Sequence, residues 1–309
     1  MVCIFNYMLT AEDLSRKFST VEHLRFQQLT HNVVILEIGN ELATAKISLY
    51  GGHVLSWWPK HLTEPVLWLS KKADFIPGKA IRGGVPICWP WFGAHPTDKQ
   101  LPGHGYARIS QWDVDSVSTL DGGATEIKLK MRETDLSRAH WPHKVCLAAI
   151  ITIGRTLTIQ LTTTNCSAQD ISVSEGLHTY FQIGDIAEIN IQGLEGDEYV
   201  DLVEGNARHK QSGSITFKDE LGRIYVNSTS ACVIEDPRLK RYIRIEKSGS
   251  QTTAVWNPWK LTASKMTDLG PDGWCDMVCV ESANALENQL IIKAGMSHSL
   301  VVKYSAETL

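Results

Sequence analysis

The strongest constraint on the fold is an alternation of apolar and polar residues that keeps returning along the chain. In ELATAKISLY, Ala43, Ala45, Ile47 and Leu49 are separated by more polar neighbours. Ile127, Leu129 and Met131 repeat the pattern in EIKLKM, and Leu157, Ile159 and Leu161 repeat it in TLTIQL. Successive side chains of a strand point to opposite faces, so period two means strands with one face buried. Antiparallel sheets read this way. Gly39-Asn40 and Gly154-Arg155 are placed as two-residue hairpin turns, with further breaks at Asp121-Gly122-Gly123, Gly193 to Gly196, and Pro271-Asp272-Gly273. One helix is predicted near the start, where Thr10 and Asp13 suit a capping box and Leu14, Phe18, Val21 and Leu24 recur at helical spacing. The prediction is an all-β protein: a single large β-sandwich domain over 31–309, preceded by a helical extension over 1–30.

With 309 residues, 43% hydrophobic and 21% charged, the chain has enough apolar material for one core of that size. A net charge of −4 gives no footprint for nucleic acid, and no run approaches the roughly 18 apolar residues of a membrane span. Neither partner is expected, and a monomer is. The start, MVCIFNYMLTAEDLSRKF, lacks the basic region and cleavage site of a signal peptide. Seven cysteines (3, 88, 146, 166, 232, 275 and 279) without C-x-x-C spacing are expected to be reduced thiols of a cytoplasmic protein.

Four segments carry residues suited to chemistry. IRGGVPICWPWFG sets Arg82 beside two glycines that permit close backbone approach. Its Trp89, Trp91 and Phe92 offer flat faces for a sugar, and Arg82 offers a fork of donors suited to phosphate or hydroxyls. A packed aromatic turn with a surface arginine is the plain alternative. LPGHGYAR holds His104 between glycines and ends in Arg108; a solvated loop histidine is its simpler explanation. In SEGLHTYF a strand would put His178 on one face with Ser174, Gly176 and Tyr180, where most histidines are merely satisfied core or surface residues. WCDMVCVES places Cys275, Met277, Cys279 and Glu281 on one strand face. A carboxyl closing an apolar stripe has its pKa raised, the profile of a general base, unless it reaches solvent. HWPH supplies His140 and His143, but Pro142 stops a helix from aligning them and no third ligand is near, so no metal is expected. No G-x-S-x-G, P-loop or G-x-G-x-x-G is present.

In order, GGHVLSW, VLWLS, IRGGVPICWPWFG, LPGHGYAR, WPH, LHTYF, GLEGDEYVD, VWNPW and MVCVES resemble the aldose 1-epimerase superfamily, specifically its glucose-6-phosphate 1-epimerase (D-hexose-6-phosphate mutarotase) branch. The resemblance spans roughly 35 to 285. It implies a large antiparallel β-supersandwich of the galactose mutarotase-like kind, with a sugar-binding cleft. It also implies a catalytic histidine at His178, a catalytic glutamate at Glu281, and substrate-binding residues at Arg82, His104, Arg108 and Asp201. The two arginines would contact the phosphate of a hexose 6-phosphate substrate. Some members have glutamine before the His-Gly of the second motif; Gly103 stands there in this chain, so that contact is not carried over.

The implied reaction opens the pyranose, rotates C1–C2 and closes on the opposite carbonyl face. It needs a base at the C1 hydroxyl, expected to be Glu281, and an acid at the ring oxygen, expected to be His178. His104 would stabilise developing charge and Asp201 would accept from a hydroxyl. No cofactor is expected. An aldose 1-epimerase acting on free galactose or glucose, and a non-catalytic sugar-phosphate-binding protein, are the alternatives.

Overall fold

Strict alternation builds the longest strands. Val145–Ile153 and Leu157–Asn165 alternate buried and half-buried positions throughout, and they pair antiparallel with Ile153 opposite Leu157. They lie in an eight-stranded sheet ordered Asn190–Gln192, Cys232–Asp236, Arg241–Ser248, Ser297–Thr308, Leu157–Asn165, Val145–Ile153, Thr125–Met131, Trp112–Thr119. A second eight-stranded sheet runs Ala207–Lys210, Glu198–Asp201, Leu221–Tyr225, Thr252–Asn257, Met277–Asn284, Glu175–Leu177, Ile87–Cys88, and Tyr180–Gln182 also pairs with Met277–Asn284. The computed structural model describes residues 9–309, the side chains of residues 135 and 136 excepted. A four-stranded sheet (Leu24–Gln28, Val34–Gly39, Ala43–Ser48, His53–Pro59) and a two-stranded one (Ile171–Val173, Leu290–Ile292) complete the antiparallel architecture. Leu36 and Trp57 of the four-stranded sheet, Ile151 and Leu161 of the first large sheet, and Phe181 and Val280 of the second share one apolar core. The expected antiparallel β-supersandwich is therefore the observed fold.

The Met277–Asn284 strand is buried at every position. Val278 and Val280 enter the main core, while Met277 and Cys279 pack on the other face with Trp68 and Tyr180. Glu281 continues that second face by the period of two. Cys275, expected on the same strand, sits in the preceding turn.

Two local expectations change. The helix is Ala11–Lys17, with both capping-box bonds of Thr10 and Asp13 formed, and it buries only Ala11 and Leu14. Leu24 instead opens a strand opposite Ile38. Between the helix and Leu24 the chain turns twice, the Val21 amide donating to the Phe18 carbonyl at 3.0 Å and the Leu24 amide to the Val21 carbonyl at 3.1 Å, so the apolar spacing beyond Phe18 does not continue the helix. The boundary expected at residue 30 thus falls within the four-stranded sheet. Both hairpins are also longer than two residues. Asn40 Oδ1 accepts from the amides of Leu42 and Ala43, each at 2.9 Å, and Asn40 Nδ2 donates to the Ile153 carbonyl at 2.9 Å. That is an Asx-stabilised turn, tied to the neighbouring sheet rather than closed on itself.

Candidate active site

Residues 81–93 thread between neighbouring strips of chain, bridging Gly83 to Leu69 and Val85 to Val54. The fully buried His53 ring is held neutral, burial pushing its pKa down to about 4, and its Nε2–H donates to the Gly83 carbonyl at 2.7 Å. Arg82 therefore projects from a tightly determined backbone. Its Nε donates to Asp268 Oδ2 at 3.0 Å, its Nη2 lies 3.0 Å from the same oxygen, and its Nη1 donates to Tyr180 Oη at 2.8 Å. The aromatics do not all meet a ligand as expected. Trp89 and Trp91 are core residues whose indole N–H groups donate to Thr163 Oγ1 and the Pro102 carbonyl. Only Phe92 of the three lines the chamber, joined by Trp256, which the sequence did not single out.

His104 sits at φ +61° on a loop pressed against Phe92, ring centroids 5.1 Å apart. The Gly93 amide donates to His104 Nδ1 at 3.3 Å, which leaves the ring proton on Nε2. Burial, aided by Arg108 and Arg82, pushes the His104 pKa down to about 3, so the ring is a neutral N–H donor. Arg108 Nη2 donates to the Gly103 carbonyl at 2.7 Å.

His178 lies in the break between Glu175–Leu177 and Tyr180–Gln182, its amide donating to the Pro86 carbonyl at 3.0 Å. Its ring stacks on Tyr180 at 4.9 Å and meets His104 edge-on at 5.3 Å. His178 Nε2 is 3.5 Å from Glu281 Oε1. Both side chains are buried, and His178 Nδ1 and Glu281 Oε2 have no hydrogen-bond partner. Two buried polar atoms without partners are a cost that folded interiors usually avoid.

His178, Glu281, His104, Arg82, Phe92 and Trp256 line a chamber of about 290 Å³, and Arg82, His104 and His178 also border an adjoining recess of about 580 Å³ together with Arg108 and Lys265. Asp201 stands back from both. Its Oδ1 accepts from the amides of Val203 and Glu204 at 2.9 and 3.1 Å, and its Oδ2 lies 3.5 Å from Arg223 Nε. Arg223 is the residue that reaches the chamber wall. A larger groove of about 770 Å³ beside Met131 and Val145 contains none of these side chains.

The aldose 1-epimerase family matches residues 34–305. The chain belongs to the aldose 1-epimerase family. It is 36% identical over 266 residues to "Putative glucose-6-phosphate 1-epimerase" of Escherichia coli (strain K12), covering 85% of this chain and 87% of that one. A protein of Cenchrus ciliaris with the same name is 36% identical over 262 residues, covering 81% and 78%. Among solved structures, a Salmonella typhimurium protein described as "a putative mutarotase (YeaD)" superposes with a TM-score of 0.87 at 30% identity, covering 96% of this chain and all, 100%, of that one.

Burial sets the electrostatics of this epimerase. It raises the Glu281 pKa well above the carboxyl range, against the pull of Arg108. It lowers that of His178 well below the imidazole range, with His104, Arg108 and Arg82 acting the same way. The free pair thus favours a protonated carboxyl beside a neutral imidazole, and the raised Glu281 pKa is the one its apolar strand predicts. His178, Cys279 and Glu281 form the one group of three metal-ligating side chains among the described residues, their donor atoms within 4.8 Å of one another. Burial and the nearby Glu281 hold the Cys279 thiol well above its ordinary range. A divalent cation would have to ionise two groups that burial keeps neutral, so the donors suit proton transfer better than metal binding. His140 ends the Asp135–His140 helix, while His143 packs edge-on against Trp141 at 4.5 Å.

Proposed function

We propose that this epimerase interconverts the α and β anomers of D-glucose 6-phosphate and related hexose 6-phosphates by acid–base ring opening and closure. The observation that carries the reading is the 3.5 Å contact of His178 with Glu281 in a chamber that adjoins a recess lined by Lys79, Arg82, Arg108 and Lys265. The two oxygens that exchange protons in ring opening are bonded to one carbon, so an acid and a base serving them must be neighbours. Glu281 takes the proton of the C1 hydroxyl and His178 delivers one to the ring oxygen; closure reverses both transfers. The pair holds one proton throughout. Opening leaves a protonated carboxyl and a neutral imidazole, which is the arrangement burial favours. Glu281 Oε1, the oxygen that faces His178 Nε2, is the acceptor for the bound hydroxyl. His104 offers its Nε2–H to an oxygen that gains charge. Asp201 acts on the sugar indirectly, by orienting Arg223. The six described cysteines are free, which supports a reducing cytoplasm as the compartment.

NMR magnetisation exchange between the anomers of glucose 6-phosphate tests the reading: purified, folded protein should accelerate exchange, and no acceleration ends the proposal. A pH profile adds a second expectation. Activity needs one proton on the pair, so it is lost below the lowered His178 pKa, where a second proton binds. It is lost again above the raised Glu281 pKa, where the last proton leaves. With the two values pushed apart, kcat on a free hexose should be flat across neutral pH; a narrow bell centred there would contradict it. A free hexose is specified because a phosphate monoester titrates at about pH 6.

A further inference from the structure

The cations of the outer recess are not equivalent. Arg82 is ion-paired with Asp268 at 3.0 Å, and Lys79 with Asp74 at 3.4 Å, so two of the four charges are already compensated. The Arg82 guanidinium commits Nε–H and one Nη2–H to Asp268 and one Nη1–H to Tyr180, leaving two of its five N–H groups for a ligand. Arg108 is fixed by its bond to the Gly103 carbonyl, which orients it without neutralising it. Lys265 has no acidic partner among the described residues, and it borders the recess with Arg82, Arg108 and His104. Its segment is anchored: Ser70 Oγ donates to the Asp268 carbonyl at 2.6 Å, and Thr262 Oγ1 to Glu220 Oε2 at 2.5 Å. The uncompensated cations are therefore Arg108 and Lys265, and a phosphate monoester carries about −1.5 to −2 at neutral pH.

We infer that Lys265 is a phosphate-contacting, specificity-determining residue that supplies, with Arg108, the charge matched to the substrate's phosphate, while Arg82 serves as a neutralised hydrogen-bond fork positioned by Asp268. The inference rests on the hexose 6-phosphate reading. Lysine suits the task as a flexible point charge at an exposed rim, where it meets the dianion after the planar forks have oriented it.

Lys265→Ala and Lys265→Arg separate the possibilities. A charge-assisted hydrogen bond at a partly solvated rim predicts a rise of about 5- to 20-fold in the KM for glucose 6-phosphate on Lys265→Ala. The kcat should stay within about twofold, and Lys265→Arg should restore KM to within about threefold of wild type. The constants for free glucose should not move in either variant. Calorimetric binding of glucitol 6-phosphate, which cannot anomerise, gives a readout independent of turnover and should weaken by the same factor on Lys265→Ala. Equal losses on phosphorylated and free sugar, or unchanged glucitol 6-phosphate binding, overturn the assignment. Should wild type bind glucitol 6-phosphate in a Lys265-dependent way yet catalyse no exchange, the functional reading fails while the phosphate contact stands.

Discussion

Replacing Glu281 with Gln is expected to slow anomer exchange by about 10²- to 10⁴-fold, the usual range for removing a positioned proton-transfer group, with no loss of thermal stability. The amide has the shape of the carboxyl and keeps a hydrogen-bonding tip 3.5 Å from His178, so the chamber should hold its form. What it cannot do is take the C1 hydroxyl proton. Stability should rise with pH relative to wild type. A carboxyl whose folded pKa lies above its unfolded value of about 4.3 leaves the folded state holding more protons, so wild-type stability falls as pH climbs from there toward the raised value. Gln removes that penalty. Magnetisation exchange and thermal unfolding at several pH values check both halves. A variant keeping full activity removes Glu281 from the mechanism, and a melting point several degrees lower would mean that the carboxyl is structural.

How far the sequence reveals this site depends on whether a residue's role is local. His178 is legible because LHTYF and MVCVES are strand-like strings, one carrying a single histidine and the other a single carboxylate, and the fold pairs Tyr180 directly with Cys279. Arg82 and His104 stand out because glycines adjoin them, and Arg108 because it closes the segment that holds His104. Asp268 does not, since its segment, TASKMTDLG, has no periodicity and its partner is 186 residues earlier. The tryptophans mislead for a related reason: a sugar platform and a core filler have the same side chain, and only burial separates them. Asp201 accepts from two backbone amides, and Arg223, its cross-strand neighbour, borders the chamber, a placement that no local pattern marks. The raised Glu281 pKa is legible in its apolar strand, whereas the lowered His178 pKa is not, for it arises from burial together with His104, Arg108 and Arg82 on other segments.

Gly84→Ala is expected to damage both stability and the site. Gly84 adopts φ +63°, and an added Cβ would lie 2.3 Å from the Val54 carbonyl oxygen, 2.9 Å from His53 Nε2 and 3.0 Å from Leu55 Cα. Left-handed backbone costs a residue with a Cβ about 1–2 kcal/mol, and overpacking a filled site adds about 1–3 kcal/mol. None of these obstacles is the loose end of a side chain: Val54 and Leu55 belong to a strand in the four-stranded sheet, and the His53 ring is fixed on Gly83. The strain must therefore move residues 82–85. The amide of Gly84 donates to the Trp68 carbonyl at 2.7 Å, and its carbonyl accepts from Tyr180 at 2.9 Å. A shift carries Arg82 away from Asp268 on one side and disturbs Tyr180, on which His178 stacks, on the other. About 2–5 kcal/mol in a domain of this size predicts a melting temperature lower by roughly 3–8 °C. Activity should fall further than stability explains, with kcat and KM both affected even at temperatures where the variant is folded. Wild-type melting together with wild-type exchange in the Gly84→Ala protein would show that the IRGGVP backbone does not hold the site in the way its contacts indicate.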